Sequence, residues 1–127
     1  MTDLNTAIAV SKGWKCHTTN DEFGINETWF TPRNTPSIHN HIPDYEHDAN
    51  LYMALFEEMG QETDTHEPYD LHIDFIDRSY QCSVVEHGYD YAKDRDNYCP
   101  IVVRIADTIG TAICLAYCKL KGIEVVG

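Results

Sequence analysis

The run VVRIADTIGTAICLAYCKLKG, Val102 to Gly122, joins the chain's most apolar strand to its most apolar helix, and any fold of this chain has to close a core around the two. Asp107 or Thr108 can accept the free N–H groups of the first helical turn. Lys119 and Lys121 meet the negative end of the helix dipole, and Gly122 supplies a left-handed stop. Between these limits Ile109, Ala112, Ile113, Ala116, Tyr117 and Leu120 keep the i, i+3, i+4, i+7 spacing, and Cys114, Leu115 and Cys118 widen the stripe. The spacing predicts a helix that is mostly buried.

The remaining elements follow from local pattern. Thr2 or Asp3 can cap a short helix whose Leu4, Ala7 and Ile8 share a face, with Gly13 ending it. Trp14, Cys16 and Thr18 alternate with Lys15 and His17, and the turn-rich stretch Asn20 to Gly24 reverses the chain into Glu27 to Pro32, which reads as a hairpin. Pro32, Asn34, Pro36 and Pro43 break up the connection that follows. Asp48 opens a second helix with Leu51, Tyr52, Leu55, Phe56 and Met59 inward and Glu57 and Glu58 outward, and Gly60 ends it. Leu71, Ile73 and Phe75, then Tyr80, Cys82 and Val84, alternate on either side of the Asp77-Arg78-Ser79 turn as a second hairpin. Gly88 to Cys99 reads as a polar loop, and Ile101, Val103 and Ile105 as the last strand. The order is α-β-β-α-β-β-β-α in a single domain over 1–127. The expected class is α+β: a layered sandwich of helices on a mostly antiparallel sheet of four or five strands.

The charge is segregated. Residues 34–77 hold eleven acids and no Lys or Arg, so this third of the chain carries −11, whereas the other residues nearly balance at −1. A surface of that sign repels nucleic acid and anionic membrane and attracts a basic protein surface. Asp44, Glu46, Glu57, Glu58, Glu62, Asp64 and Glu67 are therefore candidate partner-binding residues; the alternative is that they only solvate a helix and two loops. The five cysteines are odd in number and lack a Cys-x-x-Cys pair, which suits reduced thiols. Nothing near the N-terminus resembles a signal segment, and no apolar run approaches the roughly 20 residues of a bilayer span, so a soluble intracellular protein is expected.

Chemistry-bearing patterns are sparse. His39, His41 and His47, with Asp44, Glu46 and Asp48 nearby, are residue types that hold zinc, but the third imidazole depends on the path of a loop, and they are weak candidates. Cys114 and Cys118 lie one turn apart on an apolar face, where cysteine packs as a small hydrophobe. Cys16 and His17 point to opposite sides of a strand, and Asp74 and Asp77 resemble an acid pair only loosely. No phosphate loop, nucleophile elbow or dinucleotide fingerprint is present, so the expectation is a protein that is not an enzyme and needs no cofactor. Tyr89, Asp90, Tyr91, Asp94, Asp96 and Tyr98 form the best candidate contact loop, because tyrosine supplies large rigid contact area beside complementary charge. The competing reading is an ordinary solvated insertion.

Three segments, DLNTAIAVSKGW (Asp3 to Trp14), IPDYEHDANLYMALFEEM (Ile42 to Met59) and ADTIGTAICLAYCKLKG (Ala106 to Gly122), resemble the phage alpha-beta-alpha (ABA) sandwich domain family in order and spacing across most of the chain. The chain departs from it at Ile109 and Gly110, where the family has Pro and a bulky apolar residue, at Leu115 in place of Arg, and in its longer Tyr/Asp segment. The resemblance implies a layered α/β domain of bacteriophage origin and carries over no catalytic residues. The expected function is a small acidic accessory protein acting in the host cytoplasm. It would bind a host protein with a basic surface, such as a nucleic-acid-binding defence complex of the CRISPR or restriction type. Direct nucleic-acid or membrane contact is not expected, and self-association is left open. The alternative is a binder of a nucleotide-like ligand in which Tyr89, Tyr91 and Trp29 stack on a base, followed by a metal-dependent activity at His39, His41 and His47.

Overall fold

The computed structural model describes residues 3–61, 68–90 and 92–125, apart from the side chains of His39, Tyr89, Asp90 and Asp96. Its fold is α+β, in the order read from the sequence. It comprises α1 (Leu4–Ser11), β1 (Lys15–Asp21), β2 (Gly24–Phe30), a single 3-10 turn (Ile38–Asn40), α2 (Ala49–Met59), β3 (Asp70–Ile76), β4 (Ser79–Asp90), β5 (Arg95–Ala106) and α3 (Ile109–Lys121).

Each helix starts on the residue type its N–H groups demand. The Asp3 carboxylate accepts from Thr6 N at 2.7 Å, Asp48 from Asn50 N at 3.0 Å, and Thr108 Oγ1 from Thr111 N at 3.3 Å. The α3 start is thus capped by Thr108 rather than Asp107. At its end Gly122 adopts φ 71°, which lets Ile123 N donate back to Cys118 O at 2.8 Å.

The strands fall into two sheets rather than one: an antiparallel β1–β2 hairpin and a three-stranded antiparallel sheet in the order β3-β4-β5. Asp77 and Arg78 both take positive φ in the two-residue turn between β3 and β4, the backbone that matches the twist of a tight hairpin. A bulge between Val84 and Val85 shifts the β4–β5 register. Beyond it the two strands continue as a ribbon in which Glu86 to Asp90 face Arg95 to Cys99. The segment expected as a polar loop from Gly88 is thus mostly strand. Its residues are polar on both sides, so no apolar alternation betrays the pairing.

α3 packs across β4 and β5, and α2 packs on α3. Cys82, Val84 and Val102 from the sheet meet Ala112, Ile113, Ala116 and Tyr117 of α3, Leu55 and Met59 of α2, and Leu4 and Ile8 of α1 in one core. Fully burying side chains of this size is worth about 1.5 to 3 kcal/mol each before entropy is charged against it. All five cysteines are free thiols; Cys82, Cys114 and Cys118 lie in the core, and Cys16 and Cys99 are exposed. No helix among the described residues is long and apolar enough to cross a membrane.

Candidate functional site

The acids read as a partner surface divide into three groups. Glu57 is on the outward side of α2 and exposed, as its helical position dictates. Asp44, Glu46 and Glu58 instead make contacts within the protein. Glu62, Asp64 and Glu67 lie outside the described residues.

Asp44 and Glu46 belong to the segment that leads into α2, and that segment is pinned to two helices. Asn5 of α1 donates from Nδ2 to Asp44 Oδ1 at 3.0 Å and accepts Glu46 N at 3.1 Å through Oδ1. Thr111 of α3 donates to Glu46 Oε1 at 3.1 Å. Tyr45, between them, is buried in the core. His47 Nδ1 sits 3.0 Å from the Asp44 carboxylate. Burial, the largest single influence, pushes the Asp44 carboxyl upward, but the hydrogen bonds from His47 and Asn5, with the His47 charge, together outweigh it and hold the carboxyl below its ordinary value.

Glu58 lines an open cleft of about 710 Å³ where the C-terminal ends of α1, α2 and α3 converge, together with Ser11, Lys12, Gln61, Tyr117 and Lys121. Lys12 Nζ is 3.2 Å from Glu58 Oε1, and the Lys12 and Lys121 ammonium groups stand 5.3 and 5.9 Å from the centre of the Tyr117 ring. Burial alone would raise the Glu58 carboxyl. Hydrogen bonds from Tyr117 and Lys12, and the charges of Lys12 and Lys121, reverse that and lower it. The same geometry pushes the Tyr117 phenol up, through burial first and its bond to Glu58 second. The cleft sets two lysines, at the C-terminal ends of α1 and α3, around the Glu58 carboxylate of α2, which accounts for these lysines in so acidic a chain.

Of the histidines, His47 is exposed against Asp44, and His41 is exposed beyond the 3-10 turn. Among the described residues no group of three or more His, Cys, Asp and Glu is placed to hold a metal ion. The loop between them has a different task, carried by Asn40, a residue the sequence reading passed over. In a left-handed conformation at φ 58°, its side chain accepts from Trp29 N at 2.7 Å and donates to Glu27 O at 2.8 Å, acting as a third strand along the open edge of β2. Asn40→Ala is therefore expected to speed amide exchange at Trp29 by more than tenfold, with the global unfolding free energy changing by about 1 kcal/mol or less. Unchanged protection of Trp29 would refute this role.

The Tyr and Asp candidates fall on the β4–β5 ribbon. Tyr98 stacks on His87 across the strands with ring centres 4.8 Å apart, and Asp94 takes φ 48° in the connecting turn. The backbones of Tyr89 and Asp96 are register partners, as are those of Asp90 and Arg95, and Tyr91 is outside the described residues. Trp29 belongs to the other sheet. Comparison with protein-family models, curated proteins and solved structures returns no match for this chain.

Proposed function

We propose that the protein is a small acidic accessory protein of a bacteriophage that binds a basic surface on a host protein, in the manner of an inhibitor of a nucleic-acid-binding defence complex. The observation that carries this reading is the segregation of charge: −11 within residues 34–77 and −1 elsewhere. Asp44, Glu46, Asp48 and Glu58 are engaged within the fold, but like charges confined to one third of a chain also repel one another, and the acids left over suit a partner lined with Lys and Arg. The resemblance to the phage ABA sandwich domain supports the setting. Glu57 and Asp70 are exposed and available to contribute, and the hydrogen bonds that pin Asp44 and Glu46 would give part of the surface a fixed shape.

The test is an affinity capture from bacterial lysate at about 0.05 M and 0.3 M salt, across which the screening length shrinks severalfold, with duplex DNA as competitor. A nucleic-acid-binding protein retained at low salt, and released by high salt or DNA, is the expected result. Glu57→Gln, Glu62→Gln, Asp64→Asn and Glu67→Gln together should weaken capture at least tenfold; Glu58 is left intact because it holds the helix ends together. Capture that ignores both salt and these four substitutions would remove the electrostatic reading.

A further inference from the structure

Among the described residues the helices pack on one face of the three-stranded sheet. Leu71, Ile73, Cys82, Val84 and Val102 point into the core, so the alternate residues His72, Asp74, Gln81, Ser83, Val103 and Ile105 form the opposite face. An antiparallel sheet with one solvated face normally turns polar residues outward. Here Ile105 is 60% and Val103 39% exposed on the edge strand, whereas Ser83 and Val85 of the central strand are buried among their neighbours.

The order of residues on that face specifies an occupant. Cross-strand pairing sets His72, Ser83 and Val103 in one row and Asp74, Gln81 and Ile105 in the next. Gln81 Nε2 donates to Ser83 Oγ at 3.3 Å, which ties the rows together. A two-fold axis lying across the strands between the two rows lays each row of one copy on the other row of a second copy. His72 then meets Asp74 of the partner subunit and Val103 meets Ile105 of the partner subunit, with Gln81 and the buried Ser83 between them: imidazole on carboxylate and apolar on apolar. The geometry points to a second copy of this chain as the occupant, in an isologous dimer built by face-to-face packing of the two sheets at about 10 Å.

Two further observations favour face-on contact over addition of strands. Pro100 lacks an N–H on the edge strand β5, and Arg104 Nη1 donates to the Val103 carbonyl at 2.9 Å, so that edge is a poor template for another strand. Residues 97–106 of β5 also carry one arginine and no acid, in a chain of net charge −12, so two copies can approach there with little repulsion. Three strands about 4.8 Å apart and seven residues long make a small footprint beside the roughly 800 Å² per partner of a standard interface. The dimer is accordingly expected to dissociate in the micromolar range, with the acidic α2 of each copy on the outside.

Sedimentation velocity across a micromolar concentration series tests this with the intact chain. The native protein should pass from monomer to dimer. Ile105→Glu should shift the midpoint at least tenfold toward monomer while its far-UV circular dichroism and melting curve stay native, because the position is exposed. Asp74→Lys, which sets Lys against His72 of the partner subunit, should weaken the dimer, and adding His72→Asp should restore it. A native protein that remains monomeric throughout, a dimer indifferent to Ile105→Glu, or a double variant no tighter than Asp74→Lys alone would each overturn the assignment.

Discussion

Replacing Gly110 by alanine is expected to destabilise the protein by about 3 kcal/mol, at the upper end of what overpacking costs. A Cβ at this position would overlap the Glu46 carbonyl outright and would stand 2.8 Å from Tyr52 Cδ2. The obstruction is backbone, and that backbone cannot easily yield. Glu46 is bonded through its N–H to Asn5 and through its carboxylate to Thr111, and neighbouring Tyr45 is buried in the core. Moving the segment away from α3 would break those bonds and draw the Tyr45 ring out of its site. Gly88→Ala is the control, because its nearest neighbour would be the Asn97 carbonyl at 3.9 Å, an ordinary contact. Denaturant titration should place Gly88→Ala within about 0.5 kcal/mol of the native protein, as for a surface change away from special features. If Gly110→Ala did the same, the segment would not be seated on α3 as described.

The contrast between Gly110 and its neighbours shows what local pattern could reveal. The α3 stripe, its Thr108 cap and its Gly122 stop are all written within four residues of where they act, and they were legible. The same holds for α2 and the two short hairpin turns. The ribbon beyond Val85 was not legible, because both its faces are polar and its pairing is recorded only in the register with β5. Nor was the split into two sheets, since alternation tells a strand which face to bury but not which strand lies beside it. The site followed the same division. Glu57 was readable as outward from its helical phase, whereas Glu46 finds Thr111 sixty-five residues away and Glu58 finds Lys12 forty-six residues away. An acid drawn into such a long-range bond looks, in sequence, the same as one left for a partner.

Raising the pH should unfold this protein steeply once it passes about 9, more steeply than burial of apolar surface alone would explain. Burial pushes the Cys82 and Cys118 thiols up to about 11. It pushes Cys114 up to about 12, aided by the charges of Glu46, Cys118 and Asp44. In the unfolded chain the same thiols titrate near 8.5. Because the folded values are the raised ones, the folded state keeps protons that the unfolded state has released, so their contribution is complete below about pH 8 and declines as pH climbs toward 11. Each such proton costs about 1.4 kcal/mol per pH unit, and three acting together cost about 4. Over the roughly two and a half pH units between 8.5 and 11 this amounts to about 10 kcal/mol, comparable to a net stability of about 5 to 15 kcal/mol. Tyr45 and Tyr117, raised chiefly by burial, act in the same direction at still higher pH. Glu58 and Asp44 have the opposite sign: their lowered values contribute above the ordinary carboxylate range and lose that contribution as pH falls through it, which leaves the neutral range as the stable window. Denaturation midpoints measured from pH 7 to 11 should be flat and then fall. The variant Cys82→Ala, Cys114→Ala, Cys118→Ala should start lower, because methylene and sulfur packing is lost, yet fall much less with pH. It is the slope that decides: an equal fall in the triple variant would mean that the thiols are not what the alkaline transition titrates.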